Sequence, residues 1–228
     1  MAESPRNGST GFDQRKGDGS LDNTARAIRD ARIQAGLSLR ELGSRAGVSA
    51  SLLSQIETGR ARPSVTTLYA LVGELGLSLD ELVASDNGSG PAPRTTSTLD
   101  RQLAQLASQP AVAGVSPVMH PGARPVLELE SGVIWEQLAK VGASATDAIL
   151  VTYPPGSSSS TTGRLSTHTG YEIAYLISGT LELQLEFETY TLSAGDSIAF
   201  DSARVHVYRN PGDEPARGVW FVTGREQH

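Results

Sequence analysis

Apolar residues recur three and four positions apart through the first part of the chain and cluster or alternate at strand length through the last part, so the sequence divides into a helical and a β segment. In the helical segment, Ala27, Ile28, Ala31 and Ile33 supply the buried positions of a helix that Asp22 or Asn23 caps and Gly36 ends after Ala35. Ser38 stands three residues before Glu41, the spacing at which a hydroxyl and a carboxylate each satisfy a backbone N–H left unpaired in the first helical turn. A helix is therefore expected from Leu39, with Leu39, Leu42 and Ala46 on one face and Gly47 at its end. Ser49 restarts the chain as a second helix to Thr58, with Leu53, Ile56 and Leu52 turned inward. Ser49, Ala50, Ser51, Ser54 and Gln55 form its small, polar outer face. Pro63 and Ser64 open a helix through Leu75, Gly76 breaks it, and Ser78 with Glu81 repeats the capping spacing for a fifth helix to Ala84.

From Val118 the runs VLELE, AILVTY, EIAYLI, LELQLEF, SIAF and GVWFV are separated by Gly, Pro, Ser and Asp. At least six strands in about a hundred residues indicate an all-β sandwich or small barrel whose interior can hold one ligand. Between the segments, SDNGSGPAP at 85–93 has nothing to bury and reads as linker. Leu99, Leu103 and Leu106 recur at helical spacing, so 97–107 is expected to be a short helix that docks on a domain or pairs with a second copy. The expected organisation is a disordered tail at 1–20, a helical domain at 21–85, a linker at 86–117 and a β domain at 118–224.

Charge refines this division. The net charge of −6 comes from residues 118–228, which hold thirteen acids against seven bases, whereas residues 22–85 carry seven of each. Any polyanion therefore belongs with the helical half, where Arg40, Arg45, Arg60 and Arg62 cluster. Cysteine is absent, which excludes disulfide and thiolate chemistry. No apolar run has the ~18 residues of a membrane span and no secretory layout opens the chain, so a cytoplasmic protein is expected.

The pattern G-L-S-x-x-E-L-x-x-x-A-G-V-S-x-x-x-L-S-x-I-E-x-G resembles the helix-turn-helix of the phage-repressor and Cro (XRE) family over about Ala25 to Val83. The resemblance implies that the helix from Ala50 reads duplex DNA with Ser49, Ala50, Ser51 and Gln55 and that Ser38 contacts a phosphate; Ser54 on the same outer face and Arg40, Arg60 and Arg62, clustered in the motif, are expected beside them. It also implies an internal salt bridge between Arg32 and Glu57. Ala50 and Ser51 are shorter than the glutamines common in the family, so direct readout should be light.

The segments HTGYEIAYLISG and GDSIAFDSARVHVYRN resemble the two motifs of the cupin family. That resemblance implies a jelly-roll barrel with metal ligands His168, Glu172 and His206, and it places Ser166 where the family has a fourth ligand. Two imidazoles and a carboxylate suit one divalent cation, Fe(II) or else Zn, Mn or Ni. The other reading of the three is a hydrogen-bonded polar cluster at the mouth of a ligand pocket. Ser166, Tyr175 and Tyr208 are candidates for contact with a small-molecule effector, with Trp135 and Trp220 as further walls. SSSSTTG after Pro155 is expected as a loop over the barrel mouth.

The combination resembles bacterial regulators in which a cupin barrel senses a small molecule or metal and a helical domain binds an operator. A homodimer is expected, because one helix-turn-helix reads few base pairs and two-fold symmetry places two reading helices on successive turns of the duplex. An alternative of a different class is a mononuclear iron cupin enzyme similar to hydroxypropylphosphonate epoxidase, with the same three residues holding Fe(II).

Overall fold

A computed structural model describes residues 15–77, 82, 118–139, 146–163 and 165–223. The helical part contains α1 (Arg15–Gln34), α2 (Leu39–Ala46), α3 (Ala50–Glu57) and α4 (Val65–Leu75). α1 begins earlier than expected: residues 15–20 are helical, and Asp22 and Asn23 lie inside the helix instead of capping it. Once Ala25 and Ile28 anchor the helix in the core, each added residue gains a hydrogen bond for little further ordering, so the helix extends past the internal capping candidates.

The next three helices start where their serines dictate. Ser38, Ser49 and Ser64 each have extended backbone and accept a hydrogen bond from the N–H three residues on, and Ser38 completes the reciprocal pair with Glu41. Gly47 and Gly76 end α2 and α4 in the left-handed conformation. The described residues thus contain four of the five expected helices. The fifth, at 78–84, lies outside them apart from Leu82, which is helical and fully buried. The 97–107 helix, the linker at 86–117 and most of the N-terminal tail also lie outside the described residues.

Among the described residues, the β domain has nine strands in two antiparallel sheets. One sheet has the order β1 (Val126–Glu128), β2 (Ile134–Gln137), β3 (Thr146–Tyr153), β9 (Ala216–Thr223), β4 (Tyr171–Ser178), β7 (Ser197–Asp201). The other runs β6 (Glu188–Ser193), β5 (Thr180–Leu185), β8 (His206–Arg209). Their inner faces bury Trp135, Ile149, Val151, Tyr153, Leu176 and Trp220 against Leu181, Leu183, Leu192 and Tyr208.

The expected barrel is not closed by continuous ladders. The loop after β3 meets β8 through two isolated bridges, Ser158 with Arg209 and Ser166 with His206, and through hydrogen bonds of Ser158 and Ser159 to Tyr208. Pro154 and Pro155 follow the last residue of β3 and have no N–H to extend the ladder, so the edge is left to isolated pairs.

The two parts touch. The backbone N–H and hydroxyl of Thr66 both donate to the Ser159 carbonyl, at 3.2 and 3.3 Å, and the Glu130 N–H donates to the Pro63 carbonyl at 3.0 Å. Arg62 pairs with Glu128 at 2.5 Å. Ser157, Ser159 and Ser160 are buried, so the serine half of SSSSTTG is a packed connection between the two parts, while Thr161, Thr162 and Gly163 are exposed. No helix among the described residues is long and apolar enough to cross a membrane.

Candidate DNA-reading helix and metal centre

The helix-turn-helix is held together by Gly43 and by a buried ion pair. A Cβ on Gly43 would lie 2.6 Å from the Val48 carbonyl oxygen, so only glycine lets α2 meet the turn at this distance. Periodicity alone gave Gly43 no role, although a glycine inside a helix was the available signal. Arg32 Nε and Nη2 donate to the two Glu57 carboxylate oxygens at 2.6 and 2.8 Å, and Nη1 donates to the Leu37 carbonyl at 2.8 Å. One guanidinium therefore joins α1, the entry to α2 and the end of α3.

α3 leaves Ser49, Ser51 and Gln55 exposed and Ala50 and Ser54 half-buried, while Leu53 and Ile56 enter the core. The Ser49 oxygen accepts from the Leu52 N–H at 3.1 Å, which leaves its O–H proton free to donate. Ser38, Arg40 and Arg60 are exposed. Arg62 differs from that expectation: it is half-buried, and its guanidinium is engaged by Glu128 of the β domain.

In the β domain, Glu172 is the second residue of β4 and points between the sheets, because alternation on β4 buries Glu172, Ala174 and Leu176. His206 opens β8, in the facing sheet. His168 precedes β4 in a segment fixed on two sides: its N–H donates to the Ser202 carbonyl at 3.0 Å, and Ser166 exchanges backbone hydrogen bonds with His206 at 2.8 and 3.0 Å. The ligand atoms of His168, Glu172 and His206 all lie within 4.8 Å of one another. One carboxylate oxygen, Glu172 Oε1, is 2.8 Å from His168 Nε2 and 3.2 Å from His206 Nε2. The other, Oε2, accepts from the Tyr208 hydroxyl at 2.8 Å.

The second ring nitrogens are also engaged. His206 Nδ1 faces the Arg204 carbonyl at 2.8 Å and His168 Nδ1 faces the Thr169 carbonyl at 3.3 Å. A carbonyl can only accept, so each Nδ1 carries a proton, and the Glu172 carboxylate, also an acceptor, takes its hydrogen bonds from Nε2–H; a cation in place of those protons would meet the Nε2 lone pairs. Burial alone would push the Glu172 carboxyl up, but the hydrogen bonds and charges of His168 and His206 prevail and hold it at about 2. Burial likewise opposes charge on His206, yet Glu172 raises its pKa above the usual imidazole value. The Tyr208 hydroxyl is pushed well above its ordinary value, first by burial and then by the Glu172 charge, so it stays a donor.

Two buried imidazoles directed at one carboxylate fit a divalent cation, which would replace the protons they need when empty. The buried Ser166 hydroxyl, in the chain segment paired with His206, has no hydrogen-bond partner among the described residues. Of the three residues expected to face an effector, Tyr208 touches the cluster and Ser166 lies beside it. Tyr175 does not. It is on the opposite face of β4 from Glu172 and is 51% exposed, because strand alternation sends odd-numbered positions outward. Trp220 is buried between the sheets against Tyr153 and Tyr208.

A residue that strand patterns gave no reason to expect completes the surroundings. Tyr69, on α4, stacks on His168 with ring centroids 4.4 Å apart and planes at 16°, and the Trp135 ring lies 5.3 Å away. At helical spacing Tyr69 passes for an ordinary core position, and nothing in its own segment marks the partner.

A capped reading helix and a two-sheet domain with an inward His–Glu–His cluster define a helix-turn-helix DNA-binding protein with a cupin domain. The family profiles described as helix-turn-helix and cupin domain match residues 28–82 and 149–222. The HTH-type transcriptional regulator PuuR of Escherichia coli is 30% identical over 183 residues, covering 80% of this chain and 85% of that protein. SutR, also an HTH-type transcriptional regulator of Escherichia coli, is 25% identical over 203 residues, 85% of this chain and 93% of that one. A solved helix-turn-helix family regulator from Vibrio cholerae shares the fold over 91% of this chain and 98% of its own, with a TM-score of 0.59 and 20% identity. The chain belongs to the HTH-type transcriptional regulators that carry a cupin domain.

Proposed function

We propose that this regulator binds a double-stranded operator through α3 as a homodimer, and that occupancy of its cupin domain by a divalent cation or small molecule adjusts that binding. In this reading the helical domain runs from α1, at Arg15, to 85, the cupin spans 118–224 as a jelly roll, and the protein is cytoplasmic. Ser49, Ala50, Ser51, Ser54 and Gln55 face the bases, and Ser38, Arg40 and Arg60 face phosphates. Arg62 joins them only when released from Glu128.

His168, Glu172 and His206 hold the cation, which would supply a fixed positive centre for an anionic or carbonyl group of an effector. Tyr208 holds the carboxylate in place, and the Ser166 hydroxyl is available to the effector. The observation that carries this reading is the pairing of each Nδ1 with a backbone carbonyl, which leaves both Nε2 atoms turned to one carboxylate oxygen, the positions from which they would ligate a shared cation.

Metal analysis of protein purified without added metal tests it, beside the double variant His168→Ala, His206→Ala. Near-stoichiometric metal that disappears in the variant supports the site. Metal-free protein in both cases leaves the three residues as a hydrogen-bonded polar cluster and the effector as an organic molecule alone. The same triad would serve a mononuclear iron enzyme, and oxygen-dependent turnover by the iron-loaded protein would favour that reading. Hydroxypropylphosphonic acid epoxidase superposes with a TM-score of 0.41 at 17% identity, which carries no argument for it.

A further inference from the structure

Tyr69 belongs to the DNA-binding domain, yet its ring lies in the cupin. It is 7% exposed, its face stacks on the His168 imidazole, and the Trp135 ring lies 5.3 Å from it. Val65, Leu68, Leu71 and Val72 are the other buried hydrophobic residues of α4. A second path joins α4 to the same cluster. Thr66 bonds the Ser159 carbonyl, the Ser159 hydroxyl oxygen accepts from the Tyr208 N–H at 3.0 Å, and the Tyr208 hydroxyl holds Glu172. Two of the three candidate ligands are thus each tied to α4, one by ring stacking and one through two intervening residues.

We propose that Tyr69 is a wall of the His168–Glu172–His206 site supplied by the DNA-binding domain, so that a divalent cation bound there and the docking of α4 on the cupin are coupled. The proposal rests on the triad being a cation site. An imidazole ligates a metal in its own plane, so a ring stacked on its face leaves the lone pair open while fixing the plane's tilt. Tyr69 is in this sense a positioning residue for His168. Conversely, His168 must exchange its contact with Glu172 for the cation, and any tilt of its ring displaces the surface on which Tyr69 sits. Coupling of this kind is reciprocal: whatever docking contributes to cation affinity, the cation returns to docking. Because α4 packs on α2 in the helix-turn-helix, the coupling reaches the element next to the reading helix.

The test uses the full chain with Zn(II) and Mn(II) as probes. Affinity is measured against a competing chelator, and amide hydrogen exchange is followed across α4 with and without cation. Tyr69→Phe keeps the ring, and Tyr69→Leu keeps apolar bulk without it. In the parent protein and Tyr69→Phe, cation should bind and should change exchange at Thr66 and along α4. In Tyr69→Leu, affinity should fall about tenfold or more, the range seen when groups that orient ligands are removed, and exchange in α4 should no longer respond to cation. Parent-like affinity and parent-like response in a folded Tyr69→Leu protein would overturn the proposal and leave the triad reading standing. Should the parent bind neither cation, both readings fall together. If Tyr69→Leu does not fold, loss of the α4 response in the parent after His168→Ala, with Glu172 and His206 intact, supports the coupling, and an unchanged response overturns it.

Discussion

At the scale of single residues, the arrangement depends on a few charges removed from water. The Arg32–Glu57 pair is the clearest case: its side chains are 13% and 5% exposed, and every guanidinium hydrogen bond it makes holds two segments together. Removing one partner of such a pair strands the other, which costs about 3 kcal/mol or more. Glu57→Gln should therefore lower the stability of the helical domain by about that amount in urea unfolding, whereas replacing both residues by apolar side chains of similar volume should cost much less. The pair was legible in the sequence because it lies at fixed positions of a family motif. The His–Glu–His set was legible for the same reason. Tyr175 shows where that reasoning stopped: an aromatic near the motif was taken for a pocket wall, and only the register of β4, which buries Glu172 and turns its odd-numbered neighbours outward, decides the matter.

At the scale of elements, helix starts and stops were read well because a cap is a local device. Ser38 and Glu41 satisfy each other's backbone donors within one turn, and no distant residue is needed. The Glu41 carboxyl is lowered below its usual range, first by the hydrogen bonds of Ser38. A depressed folded pKa means that the carboxylate stabilises α2 fully above the ordinary carboxylate value, and that this contribution fades as pH falls through the lowered one. Glu41→Ala should thus lower the unfolding midpoint at neutral pH, and the gap to the parent should close on acidification through that window. Gly43 is the opposite case, a requirement set by a contact between elements. Gly43→Ala would place a methyl carbon 2.6 Å from the backbone oxygen of Val48, where no flexible side chain can give way. The turn must open, at a cost of about 1–3 kcal/mol, and α3 should move from the position that Leu53 and Ile56 set. Circular dichroism melts and operator binding should both report the loss. The start of α1 was misjudged for a related reason. A good local cap at Asp22 or Asn23 does not end a helix that packing further along has already nucleated.

For the molecule as a whole, what the sequence could not disclose is how one domain meets the other. Periodicity reports which face of an element is apolar, not what lies against it, so nothing singles out Tyr69 and the run of serines after Pro155 reads as loop, when both are interface. Arg62 carries the same lesson into function. Its expected partner is a phosphate, but here it meets Glu128 at 2.5 Å, with both side chains about one-third exposed. A pair this open to solvent contributes at most about 1 kcal/mol, so it biases the docked arrangement without locking it. The helical domain carries equal numbers of acids and bases over 22–85, and each cation returned to the DNA face therefore matters more than in a basic domain. Glu128→Gln removes the competitor while leaving the cupin side chain nearly isosteric. It should strengthen binding to a genomic promoter fragment by up to several-fold at low salt and steepen the dependence of log affinity on log salt by up to about one unit per protomer. Arg62→Ala should weaken binding and flatten the same slope. If Glu128→Gln leaves both affinity and slope unchanged while Arg62→Ala has its effect, Arg62 already reaches the DNA in the parent complex, and the Glu128 contact does not compete with operator binding.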